Sequence, residues 1–380
     1  MMKPKIRFKG FEGEWKASTI GEIAPLQRGY DLPTNNVISG TIPVVYSNGI
    51  LRFHNEGKCQ APAIITGRSG TIGKFTYIDH GEYWPHNTSL WVTTFHKNYP
   101  RFVYYFFQNV GFEKYATGSG VPTLNRNDIH KHIESIPSNK EEQQAIASYF
   151  TFLDSQISAS TSCLASLKQM KAASLQAMFP QEGETVPKIR FKGFEGEWKK
   201  MKFSELYERS SIKNDLSFGE DKIISVANMY FIKNSRQVDD DYLRSYNIMR
   251  LGDIAFEGNK SKNFAHGRLV ENTIGDGIVS HVFVVMKPIS KKYDLYFWKY
   301  YINNENIMGK ILCRCTKSST MMNDIVVDDF LKESILVPSY EEQIEIGKIL
   351  TSLERQISLQ SQRLEKLKQI KSACLDKMFV

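Results

Sequence analysis

The sequence contains little cysteine and no long apolar run, and both absences exclude broad classes of protein. Five cysteines among 380 residues have neither the spacing of a disulfide framework nor that of a paired zinc site. Cys313 and Cys315 form a single C-x-C, which is more typical of strand or loop thiols than of a metal site. The longest apolar runs, such as 282–286, are too short to span a bilayer, and no signal-peptide core follows the basic start. We therefore expect a cytoplasmic globular protein.

Motifs of the enzymes that act on DNA are also missing. Pro-Pro, which the motif of amino-methyltransferases requires, occurs nowhere in the chain. Asp253, Glu257 and Lys260 come nearest to a nuclease cluster, but they lack the Glu-x-Lys spacing and have no counterpart in the first half. Residues 66–74 do not have the spacing of a phosphate-binding Walker loop. We therefore expect no catalytic residue, no metal ion and no cofactor in this chain.

Two copies of one design make up the chain. Residues 4–16 and 187–199, here called the lead segments, are the same thirteen residues, PKIRFKGFEGEWK. A second repeat relates 141–179 to 341–379 with a different offset, so the residues between the repeats differ in length. Matching ends around divergent middles are typical of a shared frame that carries two different readers.

The repeated end segments are predicted to be two long helices that pack together. Apolar residues recur with the spacing of a heptad a/d seam, and one polar position, Ser160 or Gln360, interrupts each copy. Neither helix contains an internal proline, and Gly347 is the only glycine. The predicted interhelix positions are Ile146, Phe150, Leu153, Ile157, Leu164 and Leu167 in the first helix and Ile346, Leu350, Leu353, Ile357, Leu364 and Leu367 in the second.

The starts of these helices carry a capping signature. Ser138 with Glu141, and Ser339 with Glu342, match the S-x-x-E pattern of a helix N-terminus. An ordinary pair of core helices is the alternative interpretation, but nearly 40 unbroken residues is long for a core helix.

Each divergent middle is predicted to be a compact mixed α/β domain. Short β-type runs occur at 41–46, 62–66, 74–78 and 89–95, and again at 222–226, 253–256 and 277–286, while 101–109 and 294–303 are typical of short aromatic-rich helices. We place the first domain at 1–137, the first helix at 138–180, a linker at 181–186, the second domain at 187–337 and the second helix at 338–380.

Positive charge is concentrated outside the helices. The chain has a formal net charge of +8 and a pI near 9.0. The segments 141–179 and 341–379 together carry no net charge, so the whole excess lies on the remaining residues. Such a surface favours a polyanion, above all the phosphates of nucleic acid.

Polar loops between the predicted strands are the candidate DNA-binding segments. Arginine suits a guanine edge, and hydroxyl, amide and lysine side chains suit phosphates or other base edges. Solvated hairpin loops are the alternative. The candidates in the first domain are Arg68, Ser69, Thr71, Lys74, Asn87, Ser89, Thr123, Asn125 and Arg126. Those in the second are Lys260, Lys262, Asn263, His266, Arg268, His281, Lys317, Ser318 and Asn323.

The chain resembles the specificity subunits of type I restriction-modification systems over nearly its full length. The individual motifs are modest, but their order and duplication are specific. They are W-K-x-x-x-[IF]-[GS]-E-[IL] at 15–23 and 198–206, Gly-Asp-Ile at 252–254, PTLNRNDI at 122–129, the Pro-Ser-x-x-Glu-Glu-Gln start of a helix at 137–143, and Met-Phe at 178–179 and 378–379. The second domain departs from this pattern at 315–323, where the first has Gly-Ser-Gly-Val-Pro-Thr.

The resemblance implies a function and a set of partners. It implies two target-recognition domains that read a bipartite double-stranded DNA target, and an antiparallel helix pair that acts as a ruler. The implied partners are two modification (methyltransferase) subunits and restriction/translocase subunits, which would hold S-adenosylmethionine, ATP and magnesium. Two other hypotheses remain: a stand-alone DNA-modifying enzyme, and a coiled-coil scaffold that binds DNA without sequence preference.

Overall fold

The chain folds into two compact units, of which the first is made of two separate stretches of sequence and the second of one. A computed structural model describes residues 3–118, 120–233, 239–318 and 322–380. The first unit joins Met1–Ser162 with Gln362–Val380, and the second is Cys163–Ser361. Each unit therefore contains the beginning of one long helix and the end of the other. The boundary between the two units falls near the middle of each long helix. The boundaries predicted from sequence instead treated each helix as a segment separate from the domains.

The two long helices predicted from sequence are α4 and α10. None of the helices in the described ranges is long and apolar enough to cross a membrane. The helices are α1 (Ile20–Ile23), α2 (Pro100–Val110), α3 (Arg126–His130), α4 (Lys140–Ala177), α5 (Phe203–Leu206), α6 (Asp240–Ser245), α7 (Leu295–Tyr301), α8 (Glu305–Cys315), α9 (Val327–Lys332) and α10 (Tyr340–Met378).

Strands of the first unit form two four-stranded sheets and two short pairs. One sheet has the order β2-β9-β6-β7, and the other has the order β4-β3-β8-β5 with β3 and β8 parallel. The strands are β1 (Lys16–Thr19), β2 (Leu26–Arg28), β3 (Ile42–Tyr46), β4 (Gly49–His54), β5 (Cys59–Gln60), β6 (Ala63–Gly67), β7 (Phe75–Ile78), β8 (Glu82–Pro85), β9 (Ser89–Val92), β10 (Ala116–Thr117), β11 (Thr123–Leu124) and β12 (Ile133–Ile136).

The second unit repeats one of these sheets and replaces the other. Its four-stranded sheet, β14-β21-β18-β19, matches β2-β9-β6-β7, but the rest of the domain uses two-stranded pairs. The run 277–286, predicted as one strand, is two strands, because 280–283 leave the ladder. The strands are β13 (Lys199–Lys202), β14 (Tyr207–Ser210), β15 (Ile224–Ser225), β16 (Tyr230–Phe231), β17 (Asn247–Met249), β18 (Ile254–Glu257), β19 (Arg268–Glu271), β20 (Gly277–Val279), β21 (Val284–Pro288), β22 (Thr316–Ser318), β23 (Asn323–Ile325) and β24 (Ser334–Val337).

The first lead segment is held by a buried carboxylate at the start of α4. Arg7 Nε and Nη2 donate to the two oxygens of Glu142 at 2.7 and 2.8 Å, and Trp15 Nε1 donates to Glu142 Oε1 at 3.2 Å. The backbone N–H of Ile6 donates to the carbonyl of Lys377 near the end of α10, at 2.9 Å. The bidentate guanidinium pair fixes the orientation of the segment on α4 as well as its distance. The bond from Ile6 ties the same segment to α10.

The second lead segment repeats these contacts with the other helix. Arg190 binds both oxygens of Glu342 at 2.8 Å, and Trp198 Nε1 donates to Glu342 Oε1 at 3.3 Å. Ile189 N–H donates to the carbonyl of Ala177 at 2.9 Å, as Ile6 does to Lys377. The repeated sequence therefore encodes one joint that is built twice.

The caps of the two long helices differ. Asn139 Oδ1 accepts from the N–H groups of Glu141 and Glu142 at 2.7 and 3.2 Å, so the prediction that Ser138 caps α4 is wrong by one residue. Asparagine serves this role as well as serine. Ser339 Oγ accepts from Glu342 N–H at 3.2 Å, as predicted.

The helix segments within each unit run antiparallel. In the first unit Tyr149 lies beside Cys374, and Asp154 pairs with Lys371 at 2.6 Å, so the residue number rises along α4 as it falls along α10. In the second unit the residues at the equivalent positions, Glu354 and Lys171, pair at 3.0 Å. The prediction of mixed α/β domains joined to two long antiparallel helices is confirmed.

All predicted interhelix positions are covered, but several also face a domain. Phe150 contacts Tyr105 of α2 as well as Phe379. Phe179, at the matching end of α4, packs against Trp198, Phe297 and Tyr301 in the second unit. Ile146, Phe150, Leu153, Leu164, Ile346, Leu350, Leu353 and Leu364 are buried, and Ile157, Leu167, Ile357 and Leu367 are half-buried.

Candidate nucleic-acid interface

A groove in the first unit gathers four of the predicted DNA-binding residues. It has a volume of about 590 Å³. The strand β6 ends at Gly67, and the next residue is hydrogen-bonded to the β11 turn, which brings two distant loops to one place. The lining residues are Gln27, Arg28, Gly29, Tyr30, Asp31, Arg68, Leu90, Thr123, Leu124, Asn125 and Arg126.

Three arginines give this groove its charge. Among the residues that the structure describes, none bonds to the guanidinium of Arg68 or Arg126, while Arg28 reaches only Asp31, at 3.4 Å. Arg126 is exposed at the start of α3, where Asn125 accepts from Asn127 N–H at 3.0 Å and caps the helix. Arginines without a protein partner can fork onto phosphates or guanine edges.

Sequence reasoning missed the β2 side of the groove. This side of the groove is lined by Gln27, Arg28, Tyr30 and Asp31. The strand β2 is only three residues long, so its alternation is too short to be seen in the sequence. One signal was present: Gly29 sits between them, and a Cβ there would lie 2.1 Å from the carbonyl of His86. A glycine within a polar stretch that ends a strand indicates close backbone approach.

The remaining first-domain candidates do not line the groove. Thr71 is exposed, Ser69 and Asn87 are half-buried, and Lys74 Nζ donates to the carbonyl of Asn48 at 3.2 Å. Ser89 is completely buried, so its prediction as a DNA contact is wrong. Its hydroxyl donates to the carbonyl of His86 at 2.7 Å, which closes the turn before β9.

In the second unit Arg268, Lys260 and Ser318 bond to other groups of the same unit. Arg268 binds Glu257 at 2.6 Å and the carbonyl of Ala227 at 2.6 Å. Lys260 Nζ donates to Ser318 Oγ at 2.7 Å. The charge of Arg268 is therefore balanced by Glu257, whereas Arg68 and Arg126 have no carboxylate partner among the described residues.

One second-domain candidate is structural. Asn323 is 3% exposed, so its prediction as a DNA contact is wrong. Its Nδ2 donates to the carbonyl of Ala265 at 3.1 Å, and its Oδ1 accepts from Ser318 at 3.0 Å. Lys262, Asn263, His281 and Lys317 are exposed, and His266 is half-buried. Ser119 and residues 319–321, which the sequence places in the same loops, lie outside the described residues.

Backbone hydrogen bonds show which positions match between the two domains. Leu124 N–H donates to the carbonyl of Arg68 at 2.7 Å, and Asn323 N–H donates to that of Gly258 at 2.8 Å. Arg68 and Gly258 are thus each the first residue after a strand, β6 or β18, and each carbonyl accepts a backbone bond from a later strand, β11 or β23. The bridges at the same turns also match: Ser69 with Thr123, and Asn259 with Met322. One scaffold thus presents different side chains at equivalent places.

Comparison with known proteins gives the family. A model described as the type I restriction modification DNA specificity domain matches residues 12–169 and 195–369. The chain belongs to this family. No curated protein sequence matches it significantly.

A solved structure of a specificity subunit has the same fold. The S subunit of a type I restriction-modification system from M. genitalium is 14% identical, with a TM-score of 0.66 over 100% of this chain and 99% of that one. The HsdS subunit from Thermoanaerobacter tengcongensis is 14% identical, with a TM-score of 0.47 over 97% of both chains. The likeness in fold rests on the first of these.

Two neutral histidines brace the groove of the first specificity domain. Nε2 of His130 accepts from Leu26 N–H at 2.8 Å, which ties α3 to β2. Burial lowers the pKa of His130, and the nearby Arg126 lowers it further. Burial also lowers the pKa of His86. Neutral imidazoles leave the arginines as the positive charges of this surface.

Proposed function

We propose that the chain is the DNA-reading subunit of a type I restriction-modification complex. Each target-recognition domain reads one half of a bipartite target, and the helix pair sets the length of the unspecified gap. The observation that carries this proposal is the pair of turns after β6 and β18, because a similar backbone bond holds each turn while the residue there is Arg68 in one domain and Gly258 in the other. Two readers with different side chains on one frame suit two different half-sites.

The groove of the first domain supplies both affinity and readout. Arginine forms bidentate bonds with guanine O6 and N7, and amides favour adenine. Arg68, Arg126 and Asn125 are therefore the groups proposed to contact DNA there. Contacts to phosphates would make the affinity fall steeply with salt.

Catalysis belongs to the partners in this proposal. The chain would assemble with two modification subunits, docked on the helices, and with restriction/translocase subunits. S-adenosylmethionine, ATP and magnesium would be bound by those subunits. The absence of the methyltransferase Pro-Pro motif from the sequence supports this division of labour.

Methylation mapping tests the proposal. The chain is expressed with its modification partner, and the genome is sequenced for methylated bases, with and without the chain. We expect a bipartite motif with an unspecified gap. Replacing residues 200–337 by the second domain of another family member should change one half of the motif only.

Three outcomes would contradict the proposal. Methylation by the isolated chain would show a DNA-modifying enzyme. Salt-dependent affinity without any sequence preference would show a scaffold. A change in both halves of the motif after the domain replacement would show that the domains are not independent readers.

A further inference from the structure

The groove of the first domain contains one carboxylate among its lining residues. Asp31 lies with Arg28, Arg68 and Arg126 around the same cavity. Its side chain is 70% exposed, so burial in the core does not explain its presence. A surface that attracts phosphates would bind DNA more strongly without this negative charge.

The contacts of Asp31 leave half of its carboxylate free. Oδ1 accepts from Nδ2 of Asn87, which lies two residues before the start of β9. The same oxygen is 3.4 Å from Arg28 Nη2, which is long for a charged hydrogen bond. Oδ2 accepts from no other residue in the described ranges. Asn87 therefore holds one oxygen, while the other remains an unused acceptor at the groove.

DNA offers few groups that a carboxylate can bind. Phosphates and the acceptor groups of guanine and thymine repel it, whereas cytosine N4 and adenine N6 donate from the major groove. The free carboxylate oxygen of Asp31 is therefore suited to accept from a base amino group, and it is repelled by the phosphates of the DNA backbone. Each base pair presents one such amino group, so the pair that is read can be identified.

The matching position in the second domain has a different chemistry. Thr93 N–H donates to the carbonyl of Pro25, and Ile289 N–H donates to that of Leu206, at 3.0 and 2.9 Å. Beyond this shared pairing the two copies take different partners: Tyr30 N–H donates to the carbonyl of Pro85, whereas the carbonyl of Ile212, as many residues after Leu206 as Asp31 is after Pro25, accepts from Ile248 N–H. Ile212 is 50% exposed and has no polar side-chain atom. The position is therefore not part of the shared frame.

We propose that Asp31 is a specificity-determining residue of the first half-site. Its Oδ2 accepts a hydrogen bond from the amino group of one base, cytosine N4 or adenine N6, while Asn87 fixes the carboxylate through Oδ1. Nearby arginines supply the attraction that offsets the repulsion between Asp31 and the phosphates. This inference rests on the proposed function, since it assigns one residue of the reader to one base pair.

Binding of a DNA panel tests the assignment. The chain, in complex with its modification subunits, is titrated with duplexes that carry every single substitution in the first half-site. Asp31→Ala should reduce discrimination at one base pair by about 5- to 150-fold, the range for loss of one good base contact. Discrimination at the other positions and in the second half-site should not change, and affinity for unrelated DNA should rise.

Two further variants define the effect. Asp31→Asn keeps the shape and removes the charge, and should move the preference at the same base pair towards adenine, which amides favour. Asp79→Asn is the matched control, because Asp79 is an exposed carboxylate of the same unit that pairs with Arg101 at 3.3 Å and does not line the groove. It should leave the whole profile unchanged.

The outcomes separate this inference from the proposed function. A wild-type complex without base preference would overturn the proposed function itself. A wild-type complex that reads its target, with Asp31→Ala showing an unchanged profile or an equal shift at all positions, would overturn only the role of Asp31. Loss of preference at one pair supports it, and the identity of that pair, G·C or A·T, shows which amino group is read.

Discussion

The two units share their joints and differ in their reading surfaces. Arg7 and Arg190 make the same bidentate pairs with Glu142 and Glu342. In contrast, the first residue after β6 is Arg68, whereas the first residue after β18 is Gly258. Within one chain, the side chains that join each lead segment to a helix are identical in the two copies. Side chains that diverge stand where a ligand would be read.

The charge of the two surfaces differs in kind as well as in sequence. Arg68 and Arg126 have no side-chain partner among the described residues, whereas Arg268 is paired with the buried Glu257 at 2.6 Å. A free arginine keeps its donors for an external acceptor, but a paired one has already used them. The two half-sites are therefore expected to be read by different chemistry on one scaffold.

The largest test of the shared frame concerns the phenylalanines at the helix ends. Phe379 packs against Phe102, Phe106 and Phe150 in the first unit, and Phe179 is fully buried in the second. Phe379→Ala should destabilise the first unit, and Phe179→Ala the second, each by about 3–5 kcal/mol, because each leaves a cavity. Hydrogen exchange measured by mass spectrometry resolves the two units.

Phe152→Ala is the control for this pair. Phe152 lies on α4 but is 59% exposed, so its truncation should have little effect. Equal loss of protection in both units after either variant would show that they unfold as one body. That result would break the comparison.

A smaller effect is expected from the buried carboxylates of the joints. Glu142→Ala and Glu342→Ala each leave an arginine and an indole without their acceptor. The expected loss is about 2–3 kcal/mol, below the range for fully buried pairs, since both arginines are partly exposed. Guanidinium chloride unfolding with exchange readout should give matching values. The exposed neighbour Glu141→Ala should change stability little, and clearly unequal losses would show that the two joints are not equivalent.

The smallest expected effect is a difference in pH dependence between the units. Burial raises the pKa of Asp253 in the second unit to about 6. A carboxyl group whose pKa is raised by folding stabilises at low pH, and this contribution is lost as the pH rises through about 6. His130 in the first unit has a lowered pKa, so its contribution is present above the ordinary histidine pKa and is lost as the pH falls below it.

Exchange rates at pH 5 and pH 8 measure this difference. Raising the pKa of Asp253 by about two units corresponds to about 2.8 kcal/mol, but a buried amide retains part of the cost of burying a polar group. Asp253→Asn should therefore stabilise the second unit at pH 8 by about 1–2 kcal/mol, and by less at pH 5. The first unit should not respond to this variant. A gain of the same size at both pH values would show that ionisation of Asp253 is not the cause.

Long periodic elements were predictable from sequence, but the groove was only half predictable. The heptad pattern and the thirteen-residue repeat gave α4, α10 and the paired domains. Arg28 and Asp31 were missed because β2 has three residues and Asp31 meets Asn87, which is 56 positions away. Ser89 and Asn323 were wrongly predicted to contact DNA, because both bind backbone carbonyls inside the domain. A small polar residue beside a strand looks the same in sequence whether it binds a ligand or the backbone.

The joint between lead segment and helix end also bears on the order of the chain. Between Ala177 and Ile189 the two partners of the joint are connected by the polypeptide, whereas Ile6 and Lys377 meet in the same way without such a connection. The joint therefore forms whether or not the helix end and the lead segment are directly connected by the polypeptide. A circular permutant that begins at residue 187, with residue 380 joined to residue 4 by a linker that copies the sequence of 181–186, should retain the contacts of both joints. The two joints would therefore form equally well in either order of the two halves along the chain.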